Sequence, residues 1–384
     1  MHRLFLILFC CCSLSALAQQ PTTGNFDPIP DSVTSSPSSI AKWLVNHHQG
    51  NQTNILKSIY GWMAGNVKYD MVNTFLPDYY KDTSDAINKT LKTRIAVCQG
   101  YAALFMEIAR QAHIPAQIIA GYTFTQGKQD NSSHAWTAVY VNNSWKLVDP
   151  TWGSGGIING KYTQQLNWNY FLVEPEKFIK THVPFDPLFQ FLDIPWSHPD
   201  IANGTRTDKP VFKYQDTLAK YNRFSAYEKA ENAATRIADY GVTNQLIGVE
   251  LQHLRNVIAV GKQNVLVDEH NLQVNKVNKL GSQYNEVVAS FNEYVEFKNH
   301  QFTPSKPDQE IKDWIDGLYT KLTEQQQQLA AIQPANNTIA TNIGELKAAV
   351  TELRKKVIEE QAFVTKYIKT SKLFRKTMFY KIGR

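Results

Sequence analysis

Three residues in the first half of the chain have the chemistry of a nucleophile, a base and an orienting acid: Cys98, His134 and Asp149. A thiol attacks as its thiolate. It therefore needs a lowered pKa, a base within proton-transfer reach, and a third group that fixes the tautomer of that base. Cysteine is scarce here: of four, Cys10, Cys11 and Cys12 sit together in an apolar N-terminal run, and Cys98 stands alone. The count leaves three readings level, namely an intermolecular bridge, an inert buried thiol and a reactive nucleophile. Singly, a strand histidine and a turn aspartate before Pro150 are ordinary features. Together with the cysteine, in helix–strand–strand order, they are not.

The elements that must position them can be read from spacing. Tyr101, Phe105, Ile108 and Ala112 recur at i, i+4, i+7 and i+11, one buried helix face, and Pro115 ends that helix. Cys98 then falls in or beside the first turn, where unpaired N–H groups and the helix dipole favour a thiolate. Strand-like runs follow at 116–124, 134–141 and 145–148, with 127–133 read as a polar turn. Asn142-Asn143 or Asn143-Ser144 makes a two-residue hairpin connection. With either, Asp149 lies opposite Trp136 or Ala138 and shares the sheet face of His134, because side chains alternate. A three-residue loop would put the two on opposite faces.

Around this core the pattern predicts helices over 40–45 and 55–63, ending near Gly65-Asn66, and an extended Val67–Asp70. Residues 73–93 read as an irregular polar loop, with turn chemistry at Asp82–Asp85, forming one wall of a cleft. Residues 153–160 read as a loop, 169–172 as a strand, 175–179 as a short helix, and 182–199 as a proline-punctuated closing segment. From about Lys213 the chain is helical. Ile343, Leu346, Val350, Leu353 and Val357 keep a 3-4-3-4 rhythm that Val364, Tyr367, Phe374 and Met378 continue. That coiled-coil-like seam calls for a partner within the chain or a second copy in a homo-oligomer.

Composition sets the bounds. At 384 residues with 43% hydrophobic and 19% charged residues, the chain has enough apolar material for an ordinary globular core. His2 and Arg3, the apolar run from Leu4, and Ala16-Leu17-Ala18 together read as a cleavable signal peptide, so the mature protein is expected to be secreted or periplasmic. Lipidation of one of Cys10–Cys12 is the weaker reading, since bulky or thiol residues precede each. The expected organisation is signal peptide 1–18, linker 19–38, α+β domain 39–200, linker 201–212 and helical region 213–384. The formal charge of +6 is concentrated at the end, where seven Lys or Arg and no acids follow Gln361. Such a tail suits a cell-surface or cell-wall polyanion, or simply complements its own helix dipole. No metal-ligand spacing, phosphate loop or basic-aromatic array is present, so no metal, no cofactor and no nucleic acid are expected.

Several motifs taken together resemble the transglutaminase-like superfamily: Cys98-Gln99-Gly100-Tyr101-Ala102, Ile114-Pro115, Gly121-Tyr122, His134-Ala135-Trp136 and Trp145–Trp152. Upstream, Ile59–Trp62 and Asn66–Asp70 fit as well. Downstream, Tyr170-Phe171-Leu172, Pro175, Phe178, His182, Pro184, Asp186 and Gln190 are similar to the branch that includes kyphoscoliosis peptidase and cytokinesis protein 3. The resemblance implies a papain-like α+β fold in which Cys98 is the nucleophile, His134 the base and Asp149 its orienter. Beside the Cys98 backbone N–H, Gln99, Asn66 and Tyr69 are the candidates for a second oxyanion donor. The chain departs from the pattern at Val97 and at Arg94-Ile95-Ala96, where glycine is frequent. The implied activity is attack on protein or peptide amides through a Cys98 thioester, with hydrolysis favoured over amine cross-linking. The alternative is a silent scaffold that binds through its helical region.

Overall fold

The computed structural model describes residues 25–74, 76, 79–208 and 210–380. The signal-peptide segment, Cys10–Cys12 and the last four residues of the basic tail lie outside them. The chain falls into two compact units, 1–258 and 259–384.

The first unit is α+β. Helix α1 (Pro37–His47) starts on Ser36, whose side chain accepts the Ser39 N–H, and has proline at its first position. Helix α2 (Gln52–Asn66) is capped in the same way by Asn51. A short strand β1 (Lys68–Tyr69) follows, then α3 (Thr83–Thr93), β2 (Ile95–Ala96) and α4 (Cys98–Gln111). Ile40, Leu44, Ile59, Phe105 and Ile108 from α1, α2 and α4 share one buried core. Strands β3 (Ala116–Thr125), β4 (Lys128–Val141) and β5 (Ser144–Val148) form an antiparallel sheet beside α4. A ribbon of β6 (Gly155–Ile158) and β7 (Lys161–Gln164), a short helix α5 (Pro175–Phe178) and strand β8 (His182–Pro184) complete this part, giving the sheet order β5-β4-β3-β8.

The β4–β5 turn is the two-residue Asn142-Asn143 alternative, with φ of 52° and 59°. Positive φ at both central residues is the primed turn that matches strand twist, and asparagine tolerates it. The register pairs Thr137 with Val148, so Asp149 follows opposite Trp136, one pleat repeat from His134.

Several expectations are corrected. Residues 83–93 are helical: Asp82 accepts the Asp85 N–H, so what read as turn chemistry is an N-cap. The loop expected at 153–160 contains β6 and opens the β6–β7 ribbon, and strand β4 begins at Lys128 instead of His134. Residues 169–172 form no strand; a tight helical turn spans Trp168–Tyr170, and one bridge joins Leu147 to Val173. The described part of the expected linker is ordered. Ile29 is 5% exposed, and the Phe26 ring lies where a Gly61 side chain would otherwise stand. Two apolar anchors among prolines and serines suffice, and average composition hides them.

The boundary placed at 201–212 does not separate packing units either. Helices α6 (His198–Asn203), α7 (Tyr214–Tyr221), α8 (Ala226–Asp239) and the start of α9 (Gln245–Asn299) belong to the first unit. Leu218 packs with Ile119 and Trp136, while Ile237, Ile247 and Leu251 pack with Tyr122 and Val183. Arg236 grips Asp186 with two bonds of 2.8 and 2.6 Å, a bidentate geometry that fixes direction as well as distance.

The second unit is a three-helix bundle made from the rest of α9, α10 (Asp308–Ala330) and α11 (Asn337–Lys369). Arg354 reaches Tyr319 and Gln361 reaches Asp316, so α11 runs antiparallel to α10. Tyr284 bonds the Ala349 carbonyl and Lys298 bonds Glu360, so α11 runs parallel to α9. The seam residues Ile343, Val350, Leu353, Val357 and Val364 are buried against Leu280, Val287, Ile315 and Leu322. Each such side chain taken from water contributes about 1.5–3 kcal/mol. The seam thus finds its partners within the chain. Its register stops short of Phe374 and Met378, because α11 ends at Lys369. No helix among the described residues is long and apolar enough to cross a membrane.

Candidate active site

Cys98 is the first residue of α4. Val97 before it is extended and offers no side-chain cap, which leaves the first-turn N–H dipoles to act on the sulfur. The chain reaches this point through Arg94, which ends α3 with φ of 58°. A glycine would adopt that conformation without strain. Here it is held instead by the Arg94 guanidinium, 4.5 Å over the Trp62 ring and 2.9 Å from the Thr34 hydroxyl. Gly100 has a different role: a Cβ there would stand 2.4 Å from both the Thr90 and the Tyr80 hydroxyls. The missing side chain lets α4 approach α3. Two further bonds fix α4 against the rest: the Tyr101 hydroxyl donates to the Val67 carbonyl at 2.6 Å, and Thr137 of β4 donates to the Ala102 carbonyl at 3.1 Å.

These constraints bring Cys98 to His134. The thiol hydrogen-bonds the imidazole, and the Ala135 backbone N–H also points at the sulfur. His134 Nε2 lies 2.8 Å from Asp149 Oδ2, so Nδ1 is the nitrogen left for Cys98. Asp149 is fully buried and fully satisfied. Its Oδ1 accepts the backbone N–H groups of Thr151 and Trp152 at 2.8 and 3.1 Å. Its Oδ2 accepts from His134 and also from His182 Nε2 at 3.1 Å.

The electrostatics follow from this packing. Burial alone would raise the Cys98 pKa, but the bond to His134, the imidazolium charge and the Ala135 N–H together lower it. Burial would lower His134, yet the Asp149 charge and hydrogen bond, with Cys98, push it up to about 10. Asp149 lies well below the ordinary carboxylate range: burial opposes this, but the two histidines outweigh it. His182 moves the other way, lowered by burial, and so stays a neutral donor. The site thus favours the thiolate of Cys98 and the imidazolium of His134, beside a carboxylate held ionised. Such a pair can attack a carbonyl carbon and then protonate a leaving amine.

His182 is the participant that residue spacing alone did not single out. It sits on edge strand β8, stacked on Phe178 with ring centroids 4.0 Å apart, and Thr181 Oγ1 holds its Nδ1 at 2.8 Å. Nothing in the sequence around Thr181-His182 marks a link to Asp149; only the placement of β8 beside β3 creates it. His134, Asp149 and His182 bring metal-type donor atoms within 4.8 Å of one another, and both imidazoles direct these atoms to hydrogen bonds with Asp149 Oδ2. His182→Ala removes a charge-assisted buried bond and leaves a void. We expect a loss of about 3 kcal/mol in unfolding free energy, read from urea midpoints.

Of the oxyanion candidates, Asn66 is turned away: its Nδ2 donates to the Trp62 carbonyl at 2.9 Å. Gln99 is exposed. Tyr69 is close enough for the Cys98 charge to help burial push its pKa up to about 12, so it remains a protonated donor. Tyr69 and His134 line a cleft of about 820 Å³. Its walls are the β3–β4 tip around Asp130–Ser132 and the β6–β7 ribbon, and the described residues of the 73–93 segment take no part.

Comparisons with known proteins match the part of the chain that carries this site. The model of the transglutaminase-like superfamily matches residues 40–150, a span that contains Cys98, His134 and Asp149. Human kyphoscoliosis peptidase is 35% identical over 157 residues, 39% of this chain and 23% of that protein. Lim and transglutaminase domain protein ltd-1 from Caenorhabditis elegans is 23% identical, over 38% of this chain and 22% of its own length. The chain thus matches less than a quarter of the length of these relatives. Among solved structures, the periplasmic domain of TgpA from Pseudomonas aeruginosa covers 32% of this chain and 44% of its own, at 21% identity and a TM-score of 0.26.

Proposed function

With residues 40–150 forming a transglutaminase-like domain, we propose that this chain is a thiol enzyme that attacks amide bonds of proteins or peptides. The observation that carries the reading is the hydrogen-bonded line from Cys98 through His134 to Asp149, whose middle member, His134, lines a cleft of about 820 Å³. In this reading the Cys98 thiolate adds to the amide carbon, and the carbonyl oxygen takes the negative charge beside the Cys98 N–H and the Tyr69 hydroxyl. The His134 imidazolium gives its proton to the departing amine, and a thioester remains. Water then loses a proton to His134 and attacks the thioester. The C–S bond breaks, releasing a carboxylic acid that ionises in solution and restoring the Cys98 thiolate beside protonated His134.

Hydrolysis is favoured over transfer to an amine, because the cleft wall carries many hydrogen-bonding side chains and lies open beside His134. The apolar N-terminal run with its Ala16-Leu17-Ala18 end supports secretion or a periplasmic site of action. The basic C-terminus would then meet anionic cell-surface polymers.

To test the acceptor, a glutamine-containing protein is supplied together with a labelled primary amine, and cleavage and label are followed side by side. Chain cleavage or ammonia release without label is expected, and incorporated label would overturn hydrolysis. Tyr69→Phe should lower kcat by about 100-fold with little change in KM, the signature of a donor used only in the transition state.

A further inference from the structure

Asp27, His47 and His48 lie on the same unit as the cleft but belong to none of its walls. Adjacent residues inside a helix cannot face one another. His47 is the last residue of α1, however, and His48 is its C-cap, outside the regular helix with φ of −94° and ψ of 8°. The two imidazoles therefore converge, with ring centroids 4.8 Å apart and planes at 78°. Asp27 comes from the N-terminal segment, which Phe26 anchors on Gly61. Its Oδ2 is 3.2 Å from His47 Nε2 and 3.6 Å from His48 Nδ1.

We propose that Asp27, His47 and His48 form a binding site for a zinc-class divalent cation, with water as the fourth ligand. Two donors held at about 2.0–2.1 Å from one tetrahedral ion are themselves roughly 3.3 Å apart. The two distances measured to Asp27 bracket that separation. Two imidazoles and one carboxylate form the mixed nitrogen-oxygen set that such ions take. The rings are also held ready. The His48 side chain is 5% exposed, and its Nε2 is 2.9 Å from the Ser58 hydroxyl, which leaves Nδ1 as the ligating nitrogen. The His47 ring stacks on Trp43 at 4.4 Å and 12°. Orientation of a ligand ring by a second hydrogen bond is a regular feature of metal histidines. An occupied site would bolt the segment from Asp27 to Thr34 onto α1 and α2.

The test uses the full mature chain carrying Cys98→Ser, so that no thiol competes for the ion. Zinc is titrated calorimetrically, and cobalt is followed by its visible absorption, which reports tetrahedral nitrogen-oxygen coordination. One saturable site is expected. Asp27→Asn and His47→Gln, both at exposed positions, should abolish it. Ser58→Ala should weaken it by about 10- to 100-fold without removing any ligand. His182→Gln should leave it unchanged, which separates this site from the cluster around Asp149. Absence of saturable binding, or binding indifferent to Asp27→Asn and His47→Gln, would reduce the trio to a surface ion pair and overturn the proposal.

Discussion

His134→Ala is expected to slow alkylation of Cys98 by iodoacetamide at pH 6.5 by about 10- to 100-fold. The reasoning is a balance of opposed effects on one thiol. Burial at the start of α4 disfavours a thiolate, and the His134 imidazolium, with the Ala135 N–H, reverses that preference. Removing the imidazole deletes the larger favourable contribution and leaves the burial in place. A thiol with the ordinary pKa of about 8.5 is only about 1% ionised at pH 6.5. Lower basicity costs the native thiolate some intrinsic nucleophilicity, which is why the expected ratio spans a decade. In the intact protein the pH profile should show two limbs. Reactivity falls in acid as Cys98 takes up its proton. It changes again in alkali as His134, raised to about 10, gives up its own. Mass-spectrometric mapping of adducts against pH reads both limbs. Equal rates for wild type and His134→Ala below pH 7 would defeat the proposed catalytic pair.

Asp149→Asn carries the second large effect, and it acts on both chemistry and stability. The carboxylate accepts four hydrogen bonds, from two imidazoles and two backbone amides. An asparagine supplies one oxygen and one NH₂ group in their place. Whichever way it turns, two donors face a donor. Loss of the acceptor also releases the His134 tautomer that leaves Nδ1 free for the sulfur. A drop of roughly 10³- to 10⁴-fold in kcat is expected, from the same tautomer argument that governs serine triads. The stability cost should be about 3 kcal/mol, and its pH dependence has a definite sign. Asp149 is depressed below its ordinary 3.8, so its contribution is present above that value and is lost as pH falls through the lower, folded one. His134 is raised from 6.5, so its contribution is complete below 6.5 and is lost as pH rises to about 10. The difference in unfolding free energy between wild type and Asp149→Asn should therefore be largest between about pH 4 and 6.5. A difference that is flat from pH 4 to pH 10 would contradict this account.

The hairpin that aims His134 and Asp149 was legible because asparagine pairs and strand alternation are local rules, and both hold at Asn142-Asn143. The helix carrying Cys98 was legible for the same reason. The rest depended on distance. Asp82 looks identical in sequence whether it opens a turn or caps a helix; burial of Ala86, Thr90 and Leu91 beside α4 decides for the helix. His182 gains its role from strand order, which no window of residues contains. The helices after Lys213 divide between two cores, although their periodicity does not change where the division falls. Arg94 shows a different limit. The sequence points to a missing glycine, and the structure keeps the glycine-like φ but steadies it with an arginine stacked on tryptophan.

Cys98 is the one free thiol among the described residues, partly open to solvent and biased toward its ionised form. Those properties make it a preferred target for peroxides, which oxidise thiolates to sulfenic acid. No second thiol among the described residues stands by to resolve that product into an internal disulfide. Recovery then depends on small thiols from outside, and further oxidation to the sulfinic acid is irreversible. The geometry that favours the thiolate thus also exposes Cys98 to irreversible oxidation under oxidative stress.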